Sequence, residues 1–313
     1  MANLDITYLL WLQDLRNGMQ DAWTPFFEWL STFGTRGLLF FPALLYWCID
    51  KKKGLFVFYA LKISHTINSI VKLTVCAYRP WVRDPRVIPA GDSITTATGY
   101  SFPSGHTMMA TPLYGGLACC TKSKILRFVL ILAFLVTGFS RNYLGVHTPQ
   151  DVVVGWVLGL LSIYIAAKVF EYLDKHPEKD IHVMIISALF GILTLVYVSC
   201  KPYPMDYVDG KLLVDPVKMT VDAWGDSGGL PVLILAWLIE SRFIKFTPTG
   251  LNFKGVVLGL IGLIPLYWIV YKFGGVSANL FGPHMGKFVR QIAIFFYIMI
   301  VWPLVLKLFT GRK

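Results

Sequence analysis

Runs of apolar residues, each close to the roughly twenty needed to cross a bilayer as a helix, recur along this chain and constrain its fold more than any other feature. They lie near residues 33–50, 54–77, 106–121, 125–144, 151–171, 181–199, 229–246, 253–273 and 288–309. Hydrocarbon offers no partner to a backbone N–H or C=O, so helices, which satisfy these groups internally, are the expected form. The fold class expected is all-α, a polytopic membrane helix bundle of about nine spans. Hydrophobic residues make up 55% of the chain and charged residues 15%, too apolar a balance for a soluble domain of 313 residues. The formal net charge of +11 is carried by residues scattered singly between apolar runs, with no continuous basic stripe, which excludes nucleic acid as the expected partner. The bilayer takes that place.

Residues 4–33 mix Leu, Trp and Phe with Asp14, Arg16, Asp21 and Glu28, the pattern of a helix lying in the membrane interface. No basic, apolar and small-residue sequence of a cleaved signal stands at the start, so insertion is expected to use the first membrane helix. Cys48, Cys76, Cys119, Cys120 and Cys200 fall in or beside apolar runs and read as small buried hydrophobes; their spacing suits neither a disulfide framework nor a metal site. Residues 201–228 form the longest polar loop. Lys51 to Lys53, Lys122, Lys124, Arg127, Arg242, Lys245, Lys254, Lys307, Arg312 and Lys313 fall on one side of a nine-span arrangement, which is then expected to be cytoplasmic.

Three polar stretches interrupt the apolar runs. Lys72 ends the second run, before Arg79-Pro80, with Lys62, His65 and Asn68 behind it on one helical face. A charge there must turn inward or reach the interface, so Lys72 is a candidate functional group, although snorkelling lysines and a bonded core histidine also fit. Pro103-Ser104-Gly105-His106 opens the third run: Ser104 can cap the helix, Gly105 lets a ligand approach the backbone, and the free N–H groups suit an anion. The stretch also reads as an ordinary loop-to-helix junction.

The third stretch runs from Ser140-Arg141 through His147 to Asp151. Thr148 is an N-cap, Pro149 the first helical residue and Asp151 three past the cap. Asp151 can therefore reach back to His147. A carboxylate that accepts one imidazole N–H fixes the tautomer and frees the other nitrogen to attack. A plain capping box uses the same residues and stays open as the alternative.

In this order, Lys-x6-Arg-Pro, Pro-Ser-Gly-His and Ser-Arg-x5-His-x3-Asp resemble the signature of the type 2 phosphatidic acid phosphatase (PAP2) superfamily. The resemblance covers residues 72–151 directly. It implies a phosphatase that uses no metal and no cofactor and works through a phosphohistidine, with His147 as nucleophile, Asp151 orienting it and His106 protonating the leaving oxygen. Lys72, Arg79, Ser104, Gly105 and Arg141 would hold the phosphate. It also divides the chain into an interfacial segment at 1–32, a PAP2-type catalytic core at 33–180 and further membrane helices at 181–313.

An active site at the rim of a helix bundle favours a phosphorylated lipid as substrate: phosphatidate, lysophosphatidate or a sphingoid phosphate, with a polyprenyl pyrophosphate as the alternative. The longer span pattern is loosely similar to sphingosine-1-phosphate phosphatases. A lipid-binding or transport protein on the same fold is the second class of function; retention of His106, His147 and Asp151 weighs against it. Asp222, Trp224, Asp226, Ser227 and Gly228-Gly229 read as a solvated loop with a helix cap, or as a head-group contact. The expected membrane is a bacterial plasma membrane with an outward site, or the endoplasmic reticulum with a lumenal one.

Overall fold

The computed structural model describes residues 4–37, 39–208 and 210–310. Its helices, in chain order, are α1 (Leu4–Gly18), α2 (Thr24–Arg36), α3 (Phe40–Leu44, extended by a π turn at Leu45–Ile49), α4 (Lys51–Val75), α5 (Pro80–Arg83), α6 (Ser93–Thr96), α7 (Gly105–Cys120), α8 (Lys124–Tyr143), α9 (Pro149–Lys175), α10 (Asp180–Cys200), α11 (Pro216–Ile239), α12 (Phe253–Tyr271), α13 (Phe273–Phe281), α14 (Pro283–Phe296) and α15 (Trp302–Thr310). A two-stranded hairpin pairs β1 (Tyr207–Val208) with β2 (Lys211–Leu212). The chain is an all-α membrane bundle, as the apolar runs require.

Seven described helical stretches are long and apolar enough to cross a membrane. The other two of the nine expected runs are shorter helices. Residues 40–49 form a ten-residue helix that ends in the π turn, and α7 has 16 residues, a rise of about 24 Å. The seventh run departs most from expectation, because α11 starts at Pro216 and not near 229. Asp215 accepts from the Val217 N–H at 2.9 Å and caps the helix, with proline at its first position. Asp222 to Gly229 are therefore helical and do not form a solvated loop. Their carboxylates have partners across the bundle: Asp222 Oδ1 accepts from Lys287 Nζ at 2.9 Å, and Asp226 Oδ1 lies 3.2 Å from His65 Nδ1.

The chain divides into two compact units, 1–38 with 67–163 and 201–219, and 39–66 with 164–200 and 220–313. In the second unit Trp47 is wholly buried and donates to the Ile298 carbonyl at 2.8 Å, and Lys62 is buried with its ammonium on Gln291 Oε1 at 3.0 Å. Cys48 is buried as expected, but Cys119 and Cys200 are exposed on the outside of the bundle, where an apolar sulfhydryl is equally at home.

In the first unit, small residues bring α7 and α9 together. Gly155 and Gly159 lie one turn apart on α9, and a Cβ on them would come within 2.9 Å of the Thr107 Cβ and 2.6 Å of the Thr111 Cβ. This is the small-xxx-small contact by which membrane helices approach closely. It matters for the site because Ser104, at the start of α7, donates its N–H to the Asp151 carbonyl at 2.9 Å. Gly159→Val is expected to push these helices apart and to lower the thermal midpoint in detergent, by about 1–3 kcal/mol of overpacking. An unchanged melting curve would refute that packing.

Candidate active site

The turn between α8 and α9 presents His147. Gly145, at φ +71°, reverses the chain just past Tyr143 and Leu144, with Ile88 O 3.3 Å from where its Cβ would stand. Asn142 Nδ2 then holds the His147 carbonyl at 2.9 Å. His147 is buried, with Nδ1 3.2 Å from Asp151 Oδ2 and Nε2 2.8 Å from Arg79 Nη1. A guanidinium can only donate, so Nε2 accepts and the ring proton sits on Nδ1, directed at the carboxylate. Burial, and next the positive charge of Arg79, hold the His147 imidazole well below the usual histidine range.

Asp151 Oδ2 also accepts from the Thr148 N–H at 2.8 Å and from Ser101 Oγ at 2.6 Å, while Thr148 Oγ1 accepts from the Asp151 N–H at 3.3 Å. The capping box and the contact with His147 thus coexist on one carboxylate oxygen.

Arg79 is anchored by carbonyls, donating to Gly99 at 2.9 Å, Val146 at 2.9 Å and Thr98 at 3.2 Å. Lys72 is fixed in the same way by Tyr100 at 3.1 Å, Ser101 at 3.2 Å and Pro103 at 2.6 Å. Carbonyls orient these cations without neutralising them. Ser104 caps α7, accepting from the Thr107 N–H at 3.4 Å. A Cβ at Gly105 would meet nothing within 4 Å, so there is open space beside this helix start. His106 lies in the electrostatic field of Arg141, His147, Arg79 and Lys72. Arg141 is buried, and its Nε and Nη2 have no hydrogen-bond partner among the described residues.

All eight candidate residues fall in the first unit. Lys62 and His65 belong elsewhere, to the second unit with Gln291 and Asp226. Sequence reasoning missed Ser101, Asn142 and two further contributors. Ser31 of α2 accepts from Arg141 Nη1 at 2.5 Å. Met219 packs on Gly99, where a Cβ would come within 2.1 Å of its sulfur, so residues 201–219 back the loop that anchors Arg79. Only the N-cap chemistry of the Thr148 region carried a signal; the other contacts join residues far apart in the chain. No group of three or more His, Cys, Asp or Glu among the described residues is arranged to hold a metal ion.

The PAP2 superfamily model matches residues 53–175, a span that includes every one of these eight residues. The chain carries a PAP2 superfamily match over that segment. Among curated relatives, phosphatidylglycerophosphatase B of Bacillus subtilis is 29% identical over 136 residues, 40% of this chain and 62% of that protein. Undecaprenyl-diphosphatase of Sulfolobus acidocaldarius is 27% identical over 144 residues, 45% of this chain and 67% of that protein. Lipid phosphate phosphatase delta of Arabidopsis thaliana is 29% identical over 211 residues, 64% of this chain and 49% of that protein. The PAP2 match of this chain thus spans between about half and two thirds of the relatives' lengths. No solved structure matches.

Proposed function

We propose that this protein is a membrane phosphatase that hydrolyses a lipid phosphate monoester through a phosphohistidine on His147, without a metal ion. The observation that carries the reading is the polarity of the imidazole. With its proton directed at Asp151, Nε2 keeps a lone pair, and among the described residues the group on that lone pair is Arg79 Nη1, which also donates to Val146. An arriving phosphoryl oxygen takes over that donor, and Nε2 attacks phosphorus.

Charge on the equatorial oxygens is met by Arg79, by the free N–H groups of Arg141, by Lys72 and by the start of α7 at Ser104 and Gly105. As the P–O bond breaks, the leaving alkoxide takes a proton from His106; in the second step His106 accepts a proton from the water that attacks the phosphohistidine. Asp151 stabilises the imidazolium formed between the steps.

The basic residues support an outward or lumenal site. Lys51 to Lys53 start α4, which ends beyond Lys72; Lys122 lies between α7 and α8 and Lys124 starts α8, at the ends opposite His106 and Arg141. Relatives named for a diphosphate and for a lipid phosphate leave the polyprenyl pyrophosphate as the second substrate reading. Phosphate release by purified protein in detergent with EDTA, across lipid phosphates, pyrophosphates and glucose 6-phosphate, tests the proposal. Release from a lipid monoester is expected. No release from any ester would sink the phosphatase, and abolition by EDTA would sink its metal independence.

The depressed basicity of His147 gives a separate test. Ring-labelled histidine followed by NMR is expected to show His147 still neutral at about pH 6, where an ordinary histidine with a pKa of about 6.5 is mostly protonated. As pH falls through the depressed value the ring charges, its lone pair is lost and turnover stops. A resonance that titrates at the ordinary value would contradict the site described above.

A further inference from the structure

We propose that the cavity between α2 and α6 is a subsite for a cationic amine on the substrate's leaving alcohol. The inference rests on the phosphatase reading and narrows its substrate to a phosphate ester of an amino alcohol. The cavity has a volume of about 220 Å³ and its lining residues include Glu28 and Asp92, Thr32, Ser93 and Thr95, and Arg141.

Arg141 links the cavity to the phosphate. It is 1% exposed and bound to Ser31 through Nη1 alone, with Nε and Nη2 unpartnered. An orphaned buried guanidinium edge calls for an anion, and a phosphate on that edge has the wall of this cavity beside it.

That wall carries surplus negative charge. Glu28 acts electrostatically on Arg141 and Asp92 also lines the cavity, so with a phosphate bound two acidic residues and one anion are set against one guanidinium, and a protonated amine near the ester oxygen relieves this. Glu28 is held in place for this. Its Oε1 accepts from the Asp92 N–H at 2.7 Å, and Gly91 sits at φ +51° with the position of a Cβ only 2.4 Å from that oxygen, so any side chain at 91 would displace the carboxylate. The hydroxyls complete a lining suited to a hydroxylated amine rather than to an acyl chain. Glu28 and Thr32 lie outside the segment matched by the family model, while Asp92, Ser93, Thr95 and Arg141 lie inside it, so the N-terminal helix α2 supplies one wall of the subsite.

The test uses the full-length protein in detergent with two substrates of equal chain length, sphinganine 1-phosphate and its N-acetyl derivative. Wild type is expected to prefer the free amine by about tenfold or more in kcat/KM, expressed mainly in KM. Glu28→Gln keeps an acceptor for the Asp92 N–H but removes the charge, and is expected to erase most of that preference by a loss confined to the free-amine lipid. Asp92→Asn acts in the same direction, and Glu28→Asp restores part of the preference.

Equal losses on both lipids would show a merely structural Glu28 and overturn the proposal, as would a wild type indifferent to acetylation. A wild-type rate that collapses in EDTA would assign the carboxylates to a divalent cation instead. Failure of the phosphatase reading is separable, since wild type would then release phosphate from neither lipid. Equilibrium binding of the two lipids to His147→Ala, with and without Glu28→Gln, would still report the amine preference, and its absence there would refute the subsite.

Discussion

His147→Ala is expected to abolish turnover, with a fall of about 10⁴-fold or more in kcat, the scale on which removal of a nucleophile acts in enzymes whose groups work as a unit. The substitution deletes the imidazole that Arg79 and Asp151 hold between them, by Nε2 and Nδ1, and no other described side chain shares both contacts. Binding should survive, because Lys72, the Arg79 anchors and the Ser104 cap do not depend on the ring. The informative measurement is therefore paired: phosphate release under single-turnover conditions, and retention of an acid-labile ³²P label on the protein after quenching in alkali. Wild type should trap label and His147→Ala should not. A variant that keeps normal release, or one that still becomes labelled, would remove His147 from the nucleophile's place.

The second large effect is at Asp151, and here the geometry separates two substitutions that are often treated alike. His147 Nδ1, the Thr148 N–H and Ser101 Oγ all converge on the same oxygen, Oδ2. Asp151→Asn can place its amide carbonyl at that point and keep all three contacts and the tautomer. It loses only the charge that stabilises the imidazolium. Asp151→Ala loses the acceptor, the tautomer preference and the cap together. We expect about a 10²-fold fall in kcat for Asn where its carbonyl keeps the Nδ1 contact, and about 10⁴-fold for Ala, the scale of loss that a wrong histidine tautomer causes in a catalytic triad, there through an Asn whose amide does not keep that contact. Ala should also cost about 1 kcal/mol of stability through the lost cap, read as a lower thermal midpoint. Equal activity for the two variants would mean that Oδ2 does not orient the ring.

The contrast between those two variants shows where sequence reasoning was sufficient. That Asp151 reaches His147 follows from four residues of spacing at a helix start, and the structure shows the contact. The competing reading, a capping box, was present too, because one carboxylate oxygen has lone pairs for both. Ser101 could not have been anticipated: it meets Asp151 across 50 positions and carries no motif. The misreading of Asp222 to Gly229 has the same origin. Gly, Ser and Asp in a row look like a junction when considered locally, and Lys287 and His65, the partners that let these carboxylates sit inside a helix, are far away in the chain.

What the sequence by itself determined is the solvent and the helical class, and it supplied the residues of the candidate site. Those depend on composition and on spacings of three to seven residues, which the helix repeat converts directly into geometry. What only the tertiary structure decided is the direction of the His147 proton, set by a guanidinium 68 positions away. It also decided that α2 supplies a wall beside Arg141 and that residues 201–219 back the Arg79 loop. Such contacts are fixed by the packing of whole helices, here the close approach of α7 and α9 at Gly155 and Gly159, and no local pattern encodes which distant side chain a helix face will meet.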